Sequence, residues 1–545
     1  MSSTITVASA GIEESVWLIE INPDPEGVGE PRPSQMFMPS GAPLSAIDIQ
    51  QSAVVASVAT IKVSDRGWIQ EPRDTGAEEV YPPRLLEPPA VERFIPVYPG
   101  EGRRSQIEAG ELRLRNVDGA LDSIAGEWAI GGREVKLIRA PHRRPNHAER
   151  STWVEVASLR ASEAFEGTDT LRMPLRSAAA DLLGAANSLY TGAGGAEGDA
   201  SLRGVSKPRI FGFVRNVQPT LVDAANRIYQ LHDGEVEEIV AVRDLGGLLE
   251  LKENEDSYAS LVADSPATGK YTSFKGGGFI KLHDDPVFLT ADVRGSTFGG
   301  YASTAALVAA QILQVAGGVA SATASTFSTW PNTEVGIIVR EGTAEDAMDR
   351  LAAALGSVWW GPNTLGEFGG GVITSPESAT IIIEPYMLLD APQETSGSTP
   401  PWWRLRVAYQ EIDVTQEGSD VSDSPLVSDK DFYSKKRRYA VASDANVKIR
   451  YPLAVDGPEL PGVIESKTAA STLAESLLTI YKAPRRTWTA RIGPRAGNIN
   501  WWALPVGTVV KLKWPGIPTL AGEGKDFLVR GISARGDYAE LELWG

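Results

Sequence analysis

The sequence predicts a mainly β, multidomain protein with a minor share of helix. Short runs of β-branched and aromatic residues recur along its whole length, as in Lys207 to Gly234, which reads KPRIFGFVRNVQPTLVDAANRIYQLHDG. Such runs suit half-buried strands, and Asp233-Gly234 supplies a positive-φ turn. The 54 glycines and 36 prolines are spread without period, which implies many turns between short strands. At 545 residues the chain exceeds what one compact core accommodates. Several β-barrel or sandwich domains with a few short helices follow.

Taken in order, residues 1–55 read as an irregular arm that holds one strand, Val16 to Ile21, and a Pro/Gly-rich loop. Such an arm either wraps a neighbouring subunit or docks locally. Residues 56–170 form a first β domain with strands at Val54 to Val63, Ile107 to Arg115, Glu134 to Arg139 and Trp153 to Ala157. The proline-rich stretch Thr75 to Glu92 reads as a surface connector. A second β-rich domain spans 171–296, opening with a short helix at Ser177 to Leu189 and a flexible glycine-rich loop from Thr191. A helix-containing α+β segment covers 297–365. Its helices are Ser303 to Val315, with Ser303 as N-cap, and Thr343 to Leu355, opened by the capping pair Thr343 and Asp346 and closed by Gly356. The rest, 366–545, is a C-terminal β domain with one helix, Thr468 to Tyr481, capped by Ser466 and halted before Pro484. There Trp359-Trp360 begins a hairpin that turns through Gly366 to Gly371, Asp413 to Lys430 is a loop, and Ala534-Arg-Gly-Asp537 is a turn between the last two strands.

The chemistry-bearing residues are sparse. There is no cysteine, which removes disulfides, thiolate metal sites and cysteine nucleophiles. Of four histidines, His142 and His147 lie in a basic loop with Arg139, Arg143 and Arg144, which repels divalent cations. His232-Asp233 and His283-Asp284-Asp285 pair imidazole with carboxylate, but adjacent strand residues face opposite ways, so neither pair defines a common site. Gly-x-Ser-x-Gly and His-Glu-x-x-His are both absent, and the glycine-rich loop lacks a following Gly-Lys-Ser or Gly-Lys-Thr. No residue is therefore nominated as catalytic, cofactor-binding or metal-ligating, and no cofactor is expected. The tryptophan doublets 359–360, 402–403 and 501–502 each place one indole inward and one outward, at a core and an interface. No apolar run reaches the roughly 18 residues that cross a bilayer, and the first residues lack a secretory signal pattern.

Four segments together carry a family resemblance. Gly110-Glu-Leu-Arg-Leu-Arg-Asn-Val-Asp-Gly-Ala-Leu-Asp122 is a strand followed by N-x-D-G-x-L-D. Lys207 to Gly234 is the second, Leu289-Thr-Ala-Asp-Val-Arg-Gly295 the third, and Val509 to Trp514 with Phe527 to Gly545 the fourth. In this order, from about residue 60 onward, the chain resembles the tail-tip or baseplate hub proteins of long-tailed bacteriophages and gene transfer agents. The resemblance implies a structural, non-enzymatic virion component of siphophage type, assembled in the host cytoplasm and resident in the tail. It implies a homotrimer that joins the tail tube to the tip and helps form the conduit for genome ejection. Its partners would be itself, distal tail and tail tube proteins, and tip or fibre proteins, with DNA passing through unbound and no stable membrane insertion. Some hubs of this kind carry an iron-sulfur cluster; without cysteine this chain is expected not to. The net charge of −18 from 52 basic and 70 acidic residues suits a lumen that repels phosphates, or simply a soluble surface. Two alternatives remain: another tail component, such as a distal tail ring or receptor-binding tip protein, and a cell-wall-degrading enzyme with a carboxylate pair.

Overall fold

The computed structural model describes residues 15–21, 60–69, 79–122, 130–141, 153–163, 165–167, 169–182, 184–422, 427–493, 501, 504–535 and 538–545. The fold is mostly β, with several sheets, one barrel-like and one half-barrel, and short helices. The expected fold class holds.

An eight-stranded sheet contains the N-terminal strand, Ser15–Ile21, at an inner position. It pairs antiparallel with Ile61–Ser64 on one side and Glu134–Pro141 on the other. Its apolar run Val16, Leu18, Ile19 and Ile21 is fully buried, so this part of the expected arm docks locally. The stretch read as a surface connector contributes short strands Val80–Tyr81, Leu85–Glu87 and Val91–Phe94. Tyr81 is buried there and forms an edge-on triad with Trp68 and Trp153.

A second eight-stranded sheet is built mainly from the C-terminal strands Arg485–Ile492, Val509–Leu512, Lys525–Arg535 and Tyr538–Trp544. The last two pair Arg535 with Tyr538, the hairpin expected around Arg-Gly-Asp. The hairpin of Val91–Phe94 and Gln106–Ala109 joins this sheet, with Phe94 opposite Gly531, although it belongs in sequence to the first third. Arg93 fixes the graft. Its buried guanidinium donates to the carbonyls of Trp501 at 2.8 Å and Leu504 at 3.1 Å. The two sheets share one core, in which Trp17, Leu137 and Leu159 meet Trp488, Phe527 and Leu541.

The middle of the chain forms a nine-stranded sheet. Strand Arg209–Val217 lies near one end of its path, bonded to Leu289–Ser296 on one side and Gly336–Val339 on the other. Three glycines make this approach possible. A Cβ on Gly336 would lie 1.7 Å from the Phe213 carbonyl oxygen, one on Gly295 2.1 Å from that of Ile210, and one on Gly212 2.0 Å from that of Val335. Gly212 also has φ of 72°, which side chains disfavour.

Three helices fill the space between these layers: α1 (Ala305–Val315), α2 (Ala344–Leu355) and α3 (Lys467–Tyr481). In α2 the Thr343 hydroxyl accepts from the Asp346 N–H at 3.1 Å, and the Asp346 carboxylate accepts from the Thr343 N–H at 2.8 Å. The N-cap of α1 is Thr304, one residue beyond the expected Ser303. Ser466 caps α3 as expected. With a four-stranded sheet around Trp402–Tyr409, the helices enclose the largest core, which includes Phe327, Leu351, Trp360, Leu405, Leu477 and Trp544.

Several local expectations need correction. Ser177 to Leu189 forms only a 3-10 turn, Ala178–Leu182, because Asn187 is used as a tie: its side-chain amide donates to the carbonyls of Lys207 and Val339, both at 2.8 Å. In the 359–372 hairpin the turn is Asn363 to Glu367, where the Asn363 side-chain Oδ1 accepts the N–H groups of Leu365 and Glu367. Gly369 to Gly371 lie in strand Phe368–Val372, because bulky indoles need their space. A Cβ would lie 2.5 Å from Trp330 Nε1 at Gly370 and 2.6 Å from Trp359 Nε1 at Gly371. The C-terminal segment carries two helices beyond the one expected, Val427–Ser434 and Ala445–Arg450.

Gly336→Ala is expected to destabilise the protein by at least about 2 kcal/mol, since the added carbon overlaps strand backbone. Thermal unfolding of the variant checks this, and an unchanged midpoint contradicts it.

Candidate functional site

His142 and His147 lie outside the described residues. His232 is buried, with Nδ1 accepting the Ile210 N–H at 2.9 Å, so the ring holds the start of strand Arg209–Val217. Burial pushes its pKa down to about 4, against a smaller upward pull from Asp233. Asp233 turns elsewhere, pairing with Arg209 at 3.1 Å and accepting from Ser188. His283 is exposed and stands 2.7 Å from Asp284.

Sequence reasoning did not find a carboxylate trio, Glu253, Glu255 and Asp264, whose oxygens lie within 4.8 Å of one another. The alternation of Glu253 and Glu255 is its signal in the sequence. Lys252 pairs with Asp264 and with Glu253 at 2.9 Å, and Thr272 donates to Asp264, so the trio already has a cation beside it.

Two of the tryptophan doublets, 359–360 and 402–403, lie on strands and divide as strand geometry requires. Trp360 is fully buried and donates to Asp349 at 2.7 Å, whereas Trp359 is half-buried. Trp402 packs on Tyr481 with centroids 4.2 Å apart, whereas Trp403 lies under Arg404 at 4.9 Å and Lys448 at 4.6 Å. Trp501 is buried, and Trp502 lies outside the described residues.

A cleft of about 470 Å³ opens between the first sheet and the 358–372 hairpin, lined by Phe94, Ile107, Val156, Trp359 and Phe368 among others. Its ionisable groups include Arg93, already spent on two carbonyls, and Glu155, whose carboxyl is raised mainly by burial. Ser105 lines it with a buried hydroxyl that has no hydrogen-bond partner, and no histidine is among the lining residues. The cleft offers apolar and aromatic contact without a nucleophile beside a base.

Charged groups are concentrated instead at joints between layers. Arg215 pairs with Glu465 at 3.1 Å and lies over Phe213 at 4.5 Å, while Arg438 stacks on Phe432 at 3.6 Å. Arg243 pairs with Asp292 at 2.8 Å and covers Tyr433 at 5.4 Å, and the Asn216 N–H donates to the same Asp292. Arg340 pairs with Asp413. These contacts clamp helix Val427–Ser434 and its flanks onto the nine-stranded sheet. Arg103 differs: it is 1% exposed, no carboxylate pairs with it among the described residues, and the Tyr481 hydroxyl is the polar group that acts on its guanidinium. Burial lowers its pKa, against an electrostatic contribution from Tyr481.

No protein-family model matches the chain, and no curated protein does. Solved structures do. The tail protein from Neisseria meningitidis MC58 is similar over 88% of this chain and 96% of its own, at 9% identity and a TM-score of 0.38. A chain from the virion of a native gene transfer agent particle is similar over 63% of this chain and 84% of its own, at 14% identity and a TM-score of 0.39. The 43 kDa tail protein of prophage MuSo2 from Shewanella oneidensis covers 86% and 96%, at 9% identity and a TM-score of 0.32. These structural neighbours are all tail or virion proteins. At such TM-scores the likeness carries no argument about what this chain does.

Two outcomes are expected. Stability should fall as pH drops from about 6.5 to about 4, because in that window His232 is protonated when unfolded and neutral when folded. The loss from this residue reaches about 3 kcal/mol, and urea unfolding of His232→Asn should show a flatter pH dependence than the wild type. Arg103→Met should leave stability unchanged or raise it by about 1–4 kcal/mol, since a buried cation offset only in part by Tyr481 and Glu101 is replaced by an apolar chain. A lower melting temperature would show that the guanidinium is satisfied after all.

Proposed function

We propose that this chain is a structural component of a phage-type tail, acting as the hub that joins the tail tube to the tip and forms part of the genome-delivery conduit. It would work as a homotrimer, in the virion tail, beside distal tail, tube and tip or fibre proteins. The supporting observation is where the four resembling segments fall. Glu111–Arg115 is a paired strand of the first sheet. It runs into a turn closed by Asn116, whose carbonyl accepts the Leu121 N–H at 2.9 Å and whose amide donates to Asp122 at 2.6 Å. The turn is tied back by a two-pronged Arg84–Asp118 pair at 2.6 and 2.7 Å. Arg209–Val217 and Leu289–Ser296 are hydrogen-bonded neighbours in the nine-stranded sheet. The C-terminal strands Val509–Leu512, Lys525–Arg535 and Tyr538–Trp544 are consecutive in the second eight-stranded sheet. The resembling segments are thus ladder strands of three sheets, the parts that a ring of β domains requires. They are not loops around a reactive centre.

The purely structural reading is supported by the way the reactive side chains are spent. His232, Arg93, Arg215 and Arg243 all hold backbone or neighbouring layers. Immunogold electron microscopy of particles bearing this chain should place label at the junction of tail tube and tip. Label along the tube or on the head would refute the hub position. Purified protein should not clear a peptidoglycan suspension; clearing abolished by one Asp or Glu substitution would favour the enzymatic alternative.

A further inference from the structure

The four-stranded sheet has one closed face and one open face. Leu405, Val407, Ala440 and Ala442 are buried in the core that also holds α3. On the opposite face Arg406 is paired with Val441 and the buried Ala408 with Tyr439, so the open part of the face is the 439–441 side. Val441 is 57% exposed and Tyr439 42%, and helix Ala445–Arg450 with its following turn adds Ile449 at 79% and Leu453 at 83%. Strand Arg438–Ser443 is bonded only to Trp402–Tyr409, so its outer edge is an open ladder among the described residues.

This apolar face is also basic, in a chain whose net charge is −18. Arg404 pairs with Asp456 and holds its carboxyl below the usual range, with smaller contributions from Arg406 and Lys448. Glu459 also stands here, accepting from the Tyr439 hydroxyl at 2.7 Å and pairing with Arg437 at 3.2 Å, so Asp456 and Glu459 are outnumbered by Arg404, Arg406, Arg437 and Lys448. Among the described residues Arg406, Lys448 and Arg450 have no carboxylate within salt-bridge distance, whereas in the run 435–438 that leads into the strand Lys435 pairs with Asp431 at 2.6 Å and Arg437 with Glu459. The occupant that fits is apolar and acidic.

The same chain presents such a surface elsewhere. Leu248, 71% exposed, and Val287, 75% exposed, flank a turn where both the Val287 and Phe288 N–H groups donate to Asp244. Around them stand Glu250, Asp284 and Asp285, whose side chains are 71%, 61% and 82% exposed. Arg227 and Lys270 offset Asp285 and Glu250, and Asp284 faces His283, so an acidic excess is left around two exposed aliphatic side chains.

We infer that the basic, aliphatic face at 404–453 of one copy docks on the acidic, aliphatic face at 244–287 of a second copy. The contact is head to tail, because the two patches differ, and such contacts close into rings when their rotation allows. Only the expected number of copies rests on the hub reading; the two faces do not.

The test uses the full chain and two variants, Arg406→Glu with Lys448→Glu, and Glu250→Lys with Asp284→Lys, each checked for native circular dichroism. Sedimentation velocity should show wild-type self-association that weakens as salt rises from about 0.05 M to about 0.5 M. Each variant alone should associate at least about tenfold more weakly, because one of its faces repels. An equimolar mixture should regain association well beyond either variant alone, because the intact faces pair and the two reversed faces again carry opposite charge. Association unchanged in both variants overturns the surface assignment while leaving a ring intact; a wild-type monomer at about 100 µM removes self-docking altogether. Binding of a fluorescent DNA duplex that the Arg406/Lys448 variant loses, with self-association unaltered, would assign the basic face to phosphates and equally overturn the proposal.

Discussion

The structure depends on how closely strand Arg209–Val217 approaches its two neighbours. Contacts that a Cβ would close to about 2 Å at Gly212, Gly295 and Gly336 let one strand serve two ladders at once. The consequences spread outward from it. Ile210 is held by His232, Asn216 by Asp292, and Arg215 by Glu465, so the strand also anchors the C-terminal segment that carries Phe432 and Tyr433. Asn216 takes a positive φ of 51° in the bulge where the ladder with Leu289–Ser296 shifts register, and its side chain donates to Val414 at 2.7 Å. One strand thus positions the nine-stranded sheet, the helical layer and the four-stranded sheet relative to one another.

The second organising feature is the return of the C-terminus to the beginning of the chain. Lys525–Arg535 bonds the hairpin of residues 91–109, and Trp544 donates its indole N–H to the Tyr98 hydroxyl at 2.8 Å. A core shared by two sheets from opposite ends of the sequence is a long-range arrangement, with a large loop-closure cost. It suits a part that must stay rigid, because no single sheet there buries its apolar face without the other.

Much of this was legible locally. Caps and stops gave the three long helices to within two residues, since Thr343, Asp346, Gly356 and Ser466 act on backbone a few positions away. Doublet tryptophans separated inward from outward by the alternation of a strand. What could not be read was long-range. The Gly369 to Gly371 run looks like a turn until Trp359, Phe327 and Trp330 are placed against it. The segment at Asn187 has a helical pattern, but its amide is spent on two distant carbonyls. Membership of residues 91–109 in the C-terminal sheet has no local signal, and neither does the approach of Glu253 and Glu255 to Asp264. The basic run at 435–438 is visible in sequence, yet its place beside an open sheet face emerges only when Arg406 and Lys448 join it.

The account treats this chain as a scaffold whose functional residues are its surfaces, and its most direct test is the native mass of the purified protein by light scattering. The chain mass is 58.3 kDa. A stable species of about three times that mass is the predicted result for a threefold hub. A strict monomer or a hexamer under the same conditions would contradict it, the hexamer by placing the protein with sixfold distal-tail rings.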